Sequence, residues 1–319
     1  MLHRLPFRAM GCEMLAILEH DSDFAPDILK SVPNWFEEWE QTLSRFRLNS
    51  ELSIVNRTFD RPIEVSQTFW DVFQSAQWAY EFSDGLVSPT ILDALIEAGY
   101  DRSFDELDAN QSNINEPILT RSHPLSMVMT DSTARTITLP QGLRLDFGGI
   151  AKGWAAHQTV LRLQEYGPCL MNAGGDIAVS GPRADGIPWP IGVSNPFEAG
   201  TDLEILYLKR CGIASSGKDR RYWNQNGVFR HHIINPFTGR PAETNLLRVT
   251  VIAPTVVEAE AAAKTAFILG LEDGLEWIES RPPFESVTIL ETGVVIHSTG
   301  VQELLQGVTY EQSISKRIQ

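Results

Sequence analysis

Long apolar runs are missing from this sequence. No stretch approaches the roughly 20 residues of a membrane-spanning helix. Near the N-terminus, Arg4, Pro6 and Arg8 interrupt the run before Gly11-Cys12, which leaves no room for the apolar segment of a lipoprotein signal. A cytoplasmic protein with no membrane partner is expected. Basic residues are also few: 26 Lys and Arg stand against 41 Asp and Glu, for a formal net charge of -15. That balance argues against nucleic-acid binding, because a phosphate backbone demands clustered cations. It does not prevent a local basic pocket from holding one small anion. Cysteine is scarce as well. Cys12, Cys169 and Cys211 are odd in number and widely spaced, so neither a disulfide framework nor a zinc pattern follows. A reducing compartment is the simplest account. Internal repeats and low-complexity segments are absent.

What is present is a chain of 319 residues, 43% apolar. It is long enough for a single domain over 1–319, or two intimately packed lobes, with a well-buried core. Residues 8–18 read as a strand. Residues 33–47 read as an amphipathic helix, with Trp35, Phe36, Trp39, Leu43 and Phe46 at helical spacing and expected in the core. Further helices are expected over 66–82, from Pro89-Thr90 to Gly99, and over 150–166, 257–269 and 273–279. Residues 103–123 read as a polar surface loop. Strands are expected near 125–130, 135–139, 169–173, 177–180, 189–194, 203–208, 230–234, 246–253, 285–290 and 294–297. They bunch without regular βαβ alternation, which predicts an α+β fold rather than a doubly wound sheet.

Four segments could carry chemistry. In Asp146-Phe147-Gly148-Gly149-Ile150-Ala151-Lys152-Gly153, two glycines open a helix whose free N–H groups and first-turn lysine suit a phosphate or pyrophosphate. The spacing fits neither a Walker A loop nor a Rossmann fingerprint. An ordinary tight turn with Lys152 in solvent fits the same residues. In Asn172-Ala173-Gly174-Gly175-Asp176, a strand breaks at two glycines and presents a carboxylate; a plain hairpin turn would look alike. The third segment runs from Ser215-Ser216-Gly217 through Arg220 and Arg221 to His231-His232-Ile233-Ile234-Asn235-Pro236. On a strand the two histidines face opposite ways, so one could enter a site and act as a base near neutrality. The fourth pairs Glu260 with Lys264 at i,i+4 on a helix, which alone is a surface ion pair.

Taken in order, these segments resemble the ApbE family of flavin transferases. The resemblance begins at Met10-Gly11-Cys12, which is similar to the family's Met-Gly-Thr. It runs through Leu43-Ser44-Arg45-Phe46, Asn49-Ser50-Glu51-Leu52, Asp84-Gly85-Leu86 with Pro89-Thr90, and Gly99-Tyr100. Asp146 to Gly153 and Asn172 to Asp176 are its most specific parts. Ser216-Gly217 and His232 to Gly239 follow.

The resemblance implies an α+β, T-fold-like architecture of mixed sheets with packed helices, FAD in a cleft, and Mg²⁺ near its pyrophosphate. It implies transfer of FMN from FAD to a Ser or Thr of an acceptor flavoprotein, with release of AMP. FAD hydrolysis, or FAD binding without catalysis, are the alternatives. His232 is the implied catalytic base. Gly148, Gly149, Lys152, Asp176, Ser216, Gly217 and Lys264 are the implied flavin-binding residues, with Ala151 (through its carbonyl) and Glu260 at the metal.

This sequence departs from the family in three places. Ala259-Glu260-Ala261-Ala262-Ala263-Lys264 stands where the family reads Ala-Asp-Ala-x-Ala-Thr. Asn235 and His157 each stand where Asp is common. An ammonium has no lone pair for a metal. Either the Lys264 ammonium takes the metal's place with Glu260 holding it, or Lys264 swings to solvent and a metal binds through Glu260.

Overall fold

A computed structural model of the chain describes residues 1–107, 110–111 and 122–305. Leu2–Ala9 (β1) and Cys12–Glu19 (β2) pair antiparallel, Ala9 opposite Cys12. Met10 and Gly11 turn the chain, both at positive φ (48° and 65°). This is the left-handed geometry of a two-residue hairpin. The strand expected over 8–18 is therefore the end of one strand, a turn and a second strand.

The hairpin starts an eight-stranded sheet with Cys169–Ala173 (β3), Asp176–Ser180 (β4), Arg210–Gly217 (β5), Leu246–Ala253 (β6), Glu285–Leu290 (β7) and Val295–His297 (β8). Spatial order equals chain order, and every neighbouring pair is antiparallel. The α+β expectation holds. Successive side chains of a strand leave on opposite faces, and here both faces are covered. Met14, Ala16 and Leu18 of β2 enter one core cluster and Ile17 the other. The hairpin Trp189–Ser194 with Asp202–Leu208 and the short helix Val301–Leu305 bury the second face.

The first face carries the helices Val32–Leu43 (α1), Gln67–Phe82 (α2), Ala151–Leu163 (α4) and Val256–Leu269 (α5). Leu92–Glu97 (α3) packs in a smaller cluster with Tyr100 and Trp223. Leu271–Glu279 (α6) follows α5 directly. A capping box of Thr255 and Glu258 starts α5, satisfying donors the first turn leaves open. Its alanines 259, 262 and 263 are fully buried against β5 and β6. Such close packing needs Gly212 on β5, where a Cβ would collide with the Val256 backbone.

Helix α1 stops at Leu43, short of the expected 47. Ser44 turns extended (ψ 122°) and its carbonyl accepts from the Ser50 hydroxyl at 2.6 Å. Phe36, Trp39 and Leu43 are core, as the spacing predicts, but Phe46 is 41% exposed because the helix ends before it. Strand β5 was not expected, nor was Tyr222–Gln225, which pairs with Val228–His231 and, in parallel, with Asn110–Gln111. The rest of the expected loop over 103–123 lies partly outside the described residues. All three thiols are free. Among the described residues, no helix is long and apolar enough to cross a membrane.

Candidate active site

The entrance of α4 opens into a cavity of about 260 Å³, walled by Gly148, Gly149, Lys152, Asp176, Ser216 and His232, together with Lys264, Arg45, Phe46, Tyr100 and Arg221. Strand β4 brings Asp176, α4 brings Lys152, and α5 brings Glu260 and Lys264.

These four charges form one cluster. Lys152 Nζ donates to Asp176 Oδ2 and lies 3.5 Å from Glu260 Oε1. Lys264 Nζ donates to the same Glu260 oxygen at 3.1 Å. The other Glu260 oxygen, Oε2, accepts from the Gly153 N–H of α4 at 3.1 Å. Glu260 is only 1% exposed and is held from both sides. Burial pushes its carboxyl above the ordinary range; Lys264 opposes the shift, Asp176 adds to it, and Lys152 opposes it. Burial alone would lower the Lys152 ammonium, but Asp176 and Glu260 outweigh it and the net shift is upward. Lys152 is therefore a permanent cation. The cluster balances two ammoniums against two carboxylates, and Arg221 on the same cavity wall adds a further cation.

His231 and His232 part company, but the strand expected over 230–234 breaks between them: Val228–His231 ends at His231 and His232 lies in the bend that follows. His231 turns into the core, edge-on to Phe267, with Nε2 3.1 Å from the Ala242 carbonyl. His232 faces the cavity, with Nδ1 3.3 Å from the Arg221 carbonyl. A carbonyl only accepts, so Nδ1 carries the proton and Nε2 the lone pair. Burial, then the charges of Arg221, His231 and Lys264, hold His232 well below its ordinary value. It is neutral at pH 7. Arg221 also donates to Cys12 Sγ at 2.8 Å.

Arg45 and Asp146 were not singled out as site residues. They pair at 2.9 Å with both side chains 8% exposed. Arg45 also donates to the Tyr100 carbonyl and covers the rings of Phe46 and Tyr100 at 4.2 and 4.6 Å. Asp146 Oδ1 accepts from Gly148 N at 2.9 Å and so shapes the glycine loop. The signal available was an arginine beside Phe46; that it lies past the end of the helix is not visible in the sequence.

Of the residues expected at the site, Gly148, Gly149, Ala151, Lys152, Asp176, Ser216, His232 and Lys264 wall one cavity. Glu260 is buried against two of them. Gly217 is not among the cavity walls; a Cβ there would lie 2.6 Å from Asp219 Oδ1 and 2.7 Å from the Leu247 carbonyl, which makes it a packing residue. Asn235 Oδ1 accepts from Phe237 N at 3.0 Å and closes a turn. The donors do not fit Mg²⁺, which wants converging oxygen ligands. Both neighbours of Glu260 Oε1 are ammoniums. Among the described residues, no three His, Cys, Asp or Glu side chains converge as a metal site.

An antiparallel sheet that brings two ammoniums, two carboxylates and a neutral histidine to one cavity at a helix entrance defines the class as an α+β protein with a buried charged site. The chain belongs to the ApbE family, whose model matches residues 10–288. A curated relative from Treponema pallidum, called FAD:protein FMN transferase, is 28% identical over 289 residues, 86% of this chain and 80% of the relative. Another of that name, from Klebsiella pneumoniae, is 26% identical and covers 90% and 88%. The crystal structure of an ApbE protein from Thermotoga maritima superposes with a TM-score of 0.85 at 23% identity, over 96% and 99% of the two chains. The Vibrio cholerae flavin transferase ApbE gives 0.77 at 22%, over 96% and 99%.

Proposed function

We propose that this protein transfers the FMN half of FAD to a hydroxyl of an acceptor protein and releases AMP. The observation that carries the reading is one cavity that joins Lys152, Lys264 and Arg221 to a histidine with a free lone pair, in a family whose curated relatives are called FAD:protein FMN transferase. The FAD pyrophosphate sits at the entrance of α4, against Lys152 and Lys264. Helix N–H groups and the cations oppose the charge that builds on the phosphates as the bond to AMP lengthens.

The acceptor Ser or Thr oxygen attacks the phosphorus of the FMN half. An O–P bond forms, the bridging O–P bond of the pyrophosphate breaks, and AMP leaves with the bonding pair. The hydroxyl proton passes to His232 Nε2. Neutral His232 is always in the form able to accept it, although its low basicity limits the driving force. No step runs through a metal.

The test supplies FAD and an acceptor protein of the Treponema pallidum or Klebsiella pneumoniae relative. AMP is read by chromatography and covalent flavin by in-gel fluorescence. AMP together with labelled acceptor is expected from the wild type. His232→Ala should bind FAD and label at least about 100-fold more slowly, the scale of a lost general base. Intact FAD throughout, or equal labelling by His232→Ala, would refute the assignment.

A further inference from the structure

The two ammoniums at Glu260 carry a consequence for how phosphate charge is met. Lys264 reaches the α4 entrance by crossing Gly149, where a Cβ would lie 3.2 Å from its Cε. Glu260 reaches the same helix by occupying the space beside Gly153, where a Cβ would lie 2.6 Å from its Oε2. Glycine thus stands in the loop where the stem of Lys264 passes and in the first turn of α4 where its anchoring carboxylate docks. Lys264 does not swing to solvent: its ammonium lies on Glu260 and its side chain is 18% exposed. Lys152 is braced by two carboxylates, Asp176 and Glu260. Among the described residues, Lys264 meets one carboxylate. An ammonium has three donors, so Lys264 keeps donors to turn toward a phosphate without leaving Glu260.

We propose that the Lys264 ammonium, held by Glu260 across Gly149, is the cation that meets the pyrophosphate of the flavin dinucleotide, and that it replaces a divalent metal there. The inference rests on the transfer reading for its substrate. It makes Lys264 a catalytic residue, since it touches the reacting phosphates. Lys152 and Lys264 share Glu260 Oε1, and Lys264, with one carboxylate partner among the described residues against two for Lys152, is the ammonium with donors left for the group from which AMP departs. A fixed ammonium needs no free metal and is in place before the substrate arrives. A divalent ion placed between them would be repelled by both.

The experiment measures FAD affinity by flavin fluorescence, in EDTA and in excess Mg²⁺, for the wild type, Lys264→Met and Lys264→Arg. Mn²⁺ binding to the wild type is followed by its electron paramagnetic resonance signal, with and without FAD. Wild-type affinity should agree within about twofold in the two buffers, with no bound Mn²⁺ signal. Lys264→Met should weaken FAD roughly 10- to 100-fold, the loss of one charge-assisted phosphate contact. Lys264→Arg, which keeps the charge, should recover most of that loss, and this separates charge from folding.

FAD binding that Mg²⁺ strengthens tenfold or more, a bound Mn²⁺ signal, or unchanged affinity in Lys264→Met would each overturn the inference. AMP release and acceptor labelling, scored on the same samples, judge the transfer reading separately. Labelling that needs Mg²⁺ overturns the metal-free role and leaves transfer standing. Metal-independent FAD binding without any AMP does the reverse. No FAD binding under either condition overturns both.

Discussion

Substituting Gly153 by alanine sets helix propensity against the geometry of the charge cluster. In an exposed helix interior, Gly→Ala gains about 1 kcal/mol. Here the new Cβ would stand 2.6 Å from Glu260 Oε2 and 3.2 Å from the Val256 carbonyl. Glu260 cannot stay, and its hydrogen bond from Gly153 N is lost with it. Overpacking a tight contact costs about 1–3 kcal/mol, and a buried acceptor deprived of its donor about 1–3 more. Gly153→Ala should therefore destabilise the protein by about 1–5 kcal/mol despite its better propensity. At this chain length, unfolding entropy translates 1 kcal/mol into roughly 1.5 °C, so thermal unfolding should show a fall of about 2–7 °C. The control is the same substitution in a Glu260→Ala background, where the obstructing oxygen is gone. There Gly153→Ala should be neutral or raise Tm. An increase in Tm in the wild-type background, or an equal cost in both, would refute the claim that Gly153 exists to admit Glu260.

Three further outcomes are expected. His231 is lowered to about 4, by burial first and with Lys218 adding to it, against an ordinary value of 6.5. A histidine whose folded value is depressed binds fewer protons folded than unfolded. Its contribution, on the order of 3 kcal/mol, is present above pH 6.5 and is lost as pH falls toward 4. Urea melts across that window should flatten in His231→Phe; an unchanged slope would contradict this. Since burial and nearby cations hold His232 well below its ordinary value, kcat/KM for FAD should show no acid limb at the ordinary histidine value, and a limb near 6.5 would count against its assignment as the base. Burial pushes the Cys169 and Cys211 thiols up to about 12, whereas Cys12 is partly exposed. A disulfide exchange reagent should titrate Cys12 alone in the native protein and all three thiols after unfolding; fast native labelling of Cys169 or Cys211 would contradict their packing.

Helices and strands are legible where composition and periodicity agree, whereas the edge hairpin of β1 and β2 reads from sequence as one strand over 8–18. The capped α5 and the β-branched run of β6 were placed within a residue. Strand β5, at the centre of the sheet, was not legible. Its Gly212, Ser215 and Ser216 have weak strand preference, and the reason for Gly212 is a helix backbone that folds onto it from 44 residues later in the chain. Arg45 was hidden for a related reason. Read as part of a helix, it is one more surface cation; it becomes a buried partner of Asp146 only because α1 ends at Leu43. Helix ends and distant partners are both tertiary facts that local pattern does not carry.

Gly149 and Gly153 at the α4 entrance are likewise set by partners distant in sequence. From sequence, a Gly-Gly before a helix suggests backbone bared to a ligand. In the structure, a Cβ at Gly148 would lie 3.0 Å from Asp146 Oδ1, at Gly149 3.2 Å from Lys264 Cε, and at Gly153 2.6 Å from Glu260 Oε2. Each missing methyl makes room for one of the protein's own side chains. Gly174, at φ +68°, does the same for Cys12, whose Cβ lies 2.7 Å from the place a side chain would start. The motif is thus specific because several charged groups must converge on one helix entrance, and each needs its own gap. On the proposed reading, a substitution at Gly149 or Gly153 would weaken FAD binding by displacing Lys264 or Glu260. That is why the motif and the Glu260–Lys264 pair, distant in sequence, must be read as one device.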